Sequence, residues 1–486
     1  MKRLTLELDS SIRPIYLRVA SAIRSAINNG QLKPSEVLPS ARELAKIQKI
    51  NRHTVMSAYQ ELIAQGWLES KERKNYSVVA SLPIEMSQAK SDQKLISDQF
   101  DWPVNRQFES LSTTKPTAQF EYNFAGGMPD LSLFPFKEFK YYMNQSLLNP
   151  NLENLGYGNN QGSLSFLEQL KTYLRRARSI TNKEIIAVNG TQEALFLIAQ
   201  LLLKSGDRVA VEPLGYRPAW NAFRSAGAEL VALKQHAKGI NTVHLKEQII
   251  EKNIKLIYLT PLHQYPTTVT LPLEERMAIY SLAAEHNVMI VEDDYDHEFH
   301  YDSQPLAPMA ANDPNGQVIY LASFSKIMFP GSRIGCIAVD QSLVPALLNY
   351  RAVINHKPNS LVQEAIALWM KDGAFERHLR KMTKIYQQRR QGIVEALSHF
   401  KQSGVDFDYY LPAGGMALWL DIKGHAKELE QFCLSNDIYI QTEHQFHLDK
   451  QNNRNRFIRL GFAAMDCQRL VQGLTKIFEF LNSREK

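Results

Sequence analysis

Cysteine is scarce. The 486 residues hold three, at positions 336, 433 and 467, an odd number at wide spacing that fits neither a disulfide framework nor a zinc ribbon and points to a reducing compartment. Long apolar runs are missing as well. No stretch approaches the roughly 20 residues of a membrane span, and the opening MKRLTLELDSS lacks the apolar run of a secretory signal. The expectation is a cytoplasmic chain with no membrane partner. Over most of the length there is no excess of either charge: residues 81–486 hold 43 Lys/Arg against 43 Asp/Glu, whereas residues 1–80 hold 13 against 7. The whole net charge of +6 therefore lies in the first 80 residues, as a polyanion contact or a plain solvated basic face. An apolar fraction of 44% excludes a disordered chain, and the length exceeds one ordinary core.

Periodicity divides the chain into three parts. Residues 10–80 read as three short helices and a two-stranded tail. Residues 81–120 are polar and broken by Pro83, Pro103 and Pro116, the composition of a linker. Residues 121–486 alternate strand-like runs (DRVAV, IKLIYLT, NVMIVED, GQVIYLAS) with helical segments, which predicts a mostly parallel α/β sheet wrapped by helices. From about residue 372 the pattern becomes that of a small α+β subdomain.

In the first part, Ser40 to Glu43 has the S-x-x-E form of a capping box that opens a short helix. Asn51 is a fair cap for a second helix, whose Val55, Ala58, Tyr59, Leu62 and Ile63 form one buried stripe ending at Gly66. Its opposite face presents Arg52, His53, Thr54 and Ser57 near the helix start, where a recognition helix meets base edges. A hairpin over Trp67–Glu69 and Asn75–Val79 would carry Lys71, Arg73 and Lys74 within reach of phosphates. A helical hairpin for protein contacts is the alternative. The stretches LPSAR and RHTVMSAYQELIAQG resemble the GntR-type winged helix-turn-helix. That resemblance implies a double-stranded DNA operator faced by Arg42, Arg52 and Thr54, with Ser40 and His53 beside them. The wing departs from the family, since SKERKNYS has no glycine.

Four separated pieces of the body converge on one chemistry. YLASFSK is a strand ending in small polar residues and then Lys326, which an open α/β sheet directs into the crevice beyond its strand ends. A lysine of depressed pKa there can form an imine with an aldehyde; Arg333 follows seven residues on, suited to a phosphate. NVMIVEDDYDHEF ends a second strand at Asp293, which can keep a pyridine nitrogen protonated, with Tyr295 close to a phenolic oxygen. Carboxylates at a strand end also serve solvated loops, and Asp296, His297 and His300 leave a metal site open. IIAVNGTQEAL places Gly190, Thr191 and Gln192 at a helix start, whose N–H groups cradle phosphate. DRVAVEPLGYRPAW puts Tyr216 and Arg217 after a strand, for ring stacking and a carboxylate or as a structural turn.

Together with NFAGGMPDLSLFPF, TPLHQYPT and FIRLGF, these pieces resemble fold-type I aminotransferases, and their union with the reader resembles the MocR/GabR family of bacterial regulators. The resemblance implies pyridoxal 5′-phosphate (PLP) as cofactor. Lys326 would form the internal aldimine, Asp293 pair with the pyridine nitrogen and Tyr295 touch the phenolic oxygen. Thr191, Gln192, Ser323 and Arg333 would hold the phosphate, with Gly190 and Ser325 adjoining, and Tyr157 would reach the neighbouring subunit's phosphate. Arg459, with Arg217, would clamp an effector carboxylate; a structural salt bridge is the alternative for Arg459. The chain departs from N-P-x-G with Gln264-Tyr265-Pro266-Thr267-Thr268, leaving His263 or water at the ring edge. The implied function is a homodimeric, possibly domain-swapped regulator that senses an amino acid, an amine or PLP itself and completes at most a transamination half-reaction. An active aminotransferase with an accessory DNA-binding domain is the other reading.

Overall fold

A computed structural model describes residues 6–9, 11–71, 75–81, 120–156, 158–236, 239–302, 304–449 and 455–484. It divides into two compact units, Met1–Val104 and Asn105–Lys486. Most of the expected linker, together with Tyr157 and the wing residues Arg73 and Lys74, lies outside the described residues.

The first unit is three helices, Ile15–Asn28, Ala41–Gln48 and Arg52–Ala64, followed by the antiparallel hairpin Leu68–Lys71 with Asn75–Val78. The capping box forms: Ser40 Oγ accepts from the Glu43 N–H at 3.3 Å, and the Glu43 carboxylate accepts from the Ser40 N–H at 2.9 Å. Asn51 caps the third helix by accepting from the His53 N–H at 2.8 Å. Between these helices Lys49 takes a left-handed conformation (φ 52°), which makes the tight turn. Val19, Ile23, Leu44, Val55, Leu62 and Val78 fill the centre, each contributing about 1.5–3 kcal/mol relative to an exposed position. Tyr59 spans the core and donates to the Pro39 carbonyl at 2.8 Å, so burial of its hydroxyl carries no unmet hydrogen bond.

The second unit is built on a seven-stranded sheet in the order Glu184–Val188, Gly335–Val339, Val318–Ser323, Met289–Asp294, Ile254–Leu259, Arg208–Val211, Glu229–Ala232. All pairs are parallel except those of Gly335–Val339, which runs against both neighbours. Helices cover both faces, which is why Val318–Ser323 is buried along its whole length and reads as a continuous apolar run rather than an alternation. Two apolar clusters sandwich the sheet, one around Phe166, Leu170 and Trp369, the other around Ile198, Trp220 and Phe223.

The 29-residue helix Ala374–Gln402 leads into a smaller layer, the antiparallel sheet Asp408–Tyr410, Ala417–Asp421, Phe457–Gly461, Gln441–Thr442. This part has its own core, and the core is not only C-terminal. Tyr122 and Phe124 are buried in it, and strand Tyr122–Asn123 pairs in parallel with Ile438–Tyr439. A two-residue strand carries too little periodicity to be read from sequence; only its long-range partner defines it. The segment that follows, Gly126 and Gly127, is thereby carried from the smaller layer to the crevice of the large sheet.

Candidate functional site

In the first unit, Arg42, Arg52 and His53 are exposed and Thr54 is half-buried. Neither guanidinium has a partner among the described residues. Ser40, expected at the DNA, spends its hydroxyl on the capping box. His53, Thr54 and Ser57 border a shallow concavity whose far side is Arg13, Pro14, Tyr16 and Arg18 at the start of the first helix.

In the second unit, the carboxyl ends of the central strands bring the expected residues into one crevice. Asp293 is the last residue but one of strand Met289–Asp294, beside strand Val318–Ser323, which itself ends three residues before Lys326. Asp293 is buried, accepts from the Tyr258 hydroxyl at 2.8 Å through Oδ2, and leaves Oδ1 with no partner. Burial pushes its pKa up to about 6, against the lowering pull of the Tyr258 hydrogen bond and, more weakly, of the Lys326 ammonium. A carboxylate oxygen that is buried, unsatisfied and near a lysine is where a protonated ring nitrogen fits.

The phosphate end is equally formed. Helix Thr191–Leu202 starts at Gly190 with no side-chain cap, leaving its first N–H groups for an anion. Gly190 adopts φ +81°, and a Cβ there would stand 2.9 Å from the Arg333 guanidinium, so only glycine lets Arg333 close over the turn. Arg333 is exposed and donates to the Asn189 carbonyl at 2.9 Å. Ser323 Oγ accepts from the Ser325 N–H at 3.2 Å. Gln192 is partly committed, its amide donating to the Pro218 carbonyl at 3.0 Å.

Tyr216 precedes helix Arg217–Ser225, and the nearby Asp293 carboxylate adds to the upward push that burial gives its phenol. Tyr295 donates to the His263 carbonyl at 2.9 Å. The His263 imidazole, expected at the ring edge, has Nδ1 2.6 Å from Asp296, stacks on His300 and packs beside Gly414 and Gly415 of the smaller layer. Arg217 is half-buried and donates to the His444 carbonyl at 3.1 Å. Among the described residues no group of three or more His, Cys, Asp or Glu is placed to hold a metal ion.

Arg459 lies in strand Phe457–Gly461 with 1% exposure. Among the described residues no carboxylate lies within ion-pair distance of it. Its Nε donates to the Pro266 carbonyl at 3.3 Å, and Nη1 is buried without a partner. A Cβ on Gly126 would lie 1.8 Å from Nη1, and one on Gly127 would lie 3.4 Å from Lys326 Nζ. Arg459 and Lys326 thus face the same two-glycine segment. The sequence displayed these glycines only as part of a motif; their role becomes visible from the two distances.

An uncapped helix start, an unsatisfied aspartate and a lysine at adjacent strand ends define the class: a PLP-type α/β body, here on a chain that also carries a helix-turn-helix. Residues 127–477 match the family of aminotransferases class I and II, and residues 15–78 match the gntR family of bacterial regulatory proteins. The chain belongs to the class I and II aminotransferase family, and its joined gntR domain makes it a MocR-type helix-turn-helix transcriptional regulator. It is 30% identical over 396 residues to the probable rhizopine catabolism regulatory protein MocR of Rhizobium meliloti, covering 80% of this chain and 78% of the relative. It is 26% identical to the transcriptional regulator TauR of Rhodobacter capsulatus over 95% of both chains. Among solved structures, kynurenine aminotransferase of Pyrococcus horikoshii superposes with a TM-score of 0.71 at 26% identity, covering 78% of this chain and 97% of that one. The cofactor of this aminotransferase family is PLP, and the open Asp293 Oδ1 and the glycine cradle under Arg333 fit it.

No helix among the described residues is long and apolar enough to cross a membrane.

Proposed function

We propose that this chain is a cytoplasmic, homodimeric regulator whose body holds PLP and senses a carboxylate-bearing amine, and whose head reads double-stranded operator DNA. Lys326 would hold the cofactor through its amine, Asp293 its pyridine nitrogen and Tyr216 its ring face. The N–H groups of Thr191 and Gln192, with Ser323 and Arg333, would hold its phosphate. When bound, PLP supplies an electrophilic aldehyde carbon and a ring that withdraws electrons. Burial pushes the Asp293 pKa up to about 6 in the cofactor-free protein, and a protonated ring nitrogen beside it would favour its charged form. Tyr258 fixes the direction of that carboxylate. Leu147, Leu148, Leu152 and Val353 are each exposed, large apolar side chains of the kind that a second copy would cover. On the head, Arg42, Arg52, His53 and Thr54 would meet DNA.

The observation that carries this reading is Arg459, a buried guanidinium with an unpartnered N–H and no acid partner among the described residues, packed on the same two-glycine segment that Lys326 approaches. Such a charge is costly unless an anion completes it, and an amine that reaches Lys326 while presenting a carboxylate does so. The ligand must bind two states of the body unequally to alter DNA binding. The test is borohydride reduction of the PLP-loaded protein followed by peptide mapping. Label should be retained on the peptide containing Lys326, and Lys326→Ala should lose the cofactor absorbance while non-specific DNA affinity persists. Label elsewhere, or none, overturns the reading. The intact cofactor-holding set also favours a second reading, an active aminotransferase; sustained keto-acid production from an amino-acid/keto-acid pair would establish it.

A further inference from the structure

Tyr265 stands where many aminotransferases carry the asparagine of N-P-x-G, and in this chain it does something an asparagine cannot. The Arg459 guanidinium carbon lies 4.6 Å from the centre of the Tyr265 ring. That ring meets three others edge to face: Tyr216 at 5.5 Å, Tyr295 at 6.0 Å and Phe446 at 5.5 Å. Its hydroxyl meets the Gln441 amide, and the Gln441 oxygen accepts from the Gly126 N–H at 3.0 Å. Gln441 is also the strand partner of Arg459. Tyr265 therefore touches the candidate ring-stacking residue, the candidate phenol-contacting residue and the candidate anion clamp, and it is tied through Gln441 to the glycine segment that separates Arg459 from Lys326.

From this geometry we infer that Tyr265 is the positioning residue for Arg459: its ring is the support that holds a buried, acid-free guanidinium with one N–H edge turned to an incoming carboxylate. The inference rests on the reading of Arg459 as an anion site and adds how the site exists without a ligand. A guanidinium stripped of water needs electron density; the face of an aromatic ring supplies it without occupying the N–H groups, which a carboxylate would occupy. An aspartate in that place would neutralise Arg459 and compete with the ligand. A ring stabilises the charge and leaves it available. The ring is the part that supports Arg459, and the hydroxyl's bond to Gln441 is secondary to it.

Matched amine pairs test this on the full-length, PLP-loaded protein, read by the cofactor absorbance: L-phenylalanine against 2-phenylethylamine, and γ-aminobutyrate against n-propylamine. Tyr265→Leu should weaken binding of the carboxylated member on the order of tenfold, while the carboxyl-free member is unchanged. Tyr265→Phe should behave as wild type. Equal weakening of both members by Tyr265→Leu, or loss of the preference in Tyr265→Phe, overturns the assignment and leaves Arg459 in place. A wild-type protein that treats both members of each pair alike, or an Arg459→Gln variant that keeps the preference, overturns the anion site itself and the role of Tyr265 with it.

Discussion

Both units of this chain carry arginines without an acid partner among the described residues, and they carry them in opposite ways. Arg42 and Arg52 of the head project into solvent, where an unpaired guanidinium is hydrated and costs little. Arg459 of the body is buried, and against the loss of water it has one backbone carbonyl at 3.3 Å and an aromatic face. The head displays its cations to solvent, and the body encloses one away from it. The difference teaches that net charge points to the exposed arginines of the head, while a buried arginine is a matter of desolvation, which net charge does not register.

The sharpest way to break this comparison is to fill the space that Arg459 needs. Gly126→Ala puts a methyl group where Nη1 now lies, 1.8 Å away, so the guanidinium has to swing off the Tyr265 face. Response of the cofactor absorbance to carboxylated amines should fall by about a hundredfold, on the order of 3 kcal/mol. Retention of PLP and binding of DNA should be unaffected. A titration that matches wild type would show that the buried arginine is not the ligand's partner.

A buried acid of the same unit, Glu212, sharpens the contrast. Among the described residues Glu212 has no cation partner; the Thr260 hydroxyl at 3.4 Å and the Gln264 amide meet it. Burial pushes its pKa from 4.5 to about 8, so the folded protein holds it neutral at pH 7. Because the folded pKa is raised, the group's contribution to stability is full below about pH 4.5. It declines as pH rises and is gone once pH passes about 8. Glu212→Gln removes that decline. The variant should be more stable than wild type at pH 9 by on the order of 2–3 kcal/mol and close to it at pH 5, measured by urea unfolding of the apo-protein. Parallel pH profiles for the two proteins would mean that Glu212 is ionised in the fold.

Much of this was legible in the residues. The S-x-x-E box at Ser40 and the cap at Asn51 are local rules, and both form as expected because their partners lie within three positions. The strand runs were legible because burial on both faces leaves an apolar block, and an open sheet fixes which strand ends meet at a crevice. What stayed hidden depends on distant partners. Tyr122 and Phe124 enter the core of the smaller layer through residues more than 300 positions away. The missing glycine of N-P-x-G also has a structural counterpart: Thr268 occupies that place in a left-handed conformation, φ 64°, which a β-branched residue seldom adopts. Sequence marked the departure, but only the backbone gives its conformation. The substitution at Tyr265 was equally visible as a letter and opaque as a role, since its meaning lies in the arginine stacked upon it from the far end of the chain.

The smallest expected effect returns to the head. Arg52 opens the third helix, is exposed, and has no partner among the described residues, so Arg52→Ala should leave the unfolding midpoint of the protein unchanged. Operator affinity should fall by about 1–2 kcal/mol. The salt dependence then tells which part of DNA the side chain meets. A contact to a phosphate lowers the slope of log affinity against log salt by about one and weakens all sequences alike, whereas a base contact keeps the slope and relaxes preference at one position. Cofactor absorbance and amine titrations should match wild type in either case. Were this exposed arginine to alter the amine response as strongly as Gly126→Ala, display and enclosure would not be separate strategies in this chain, and the head would be part of the effector site.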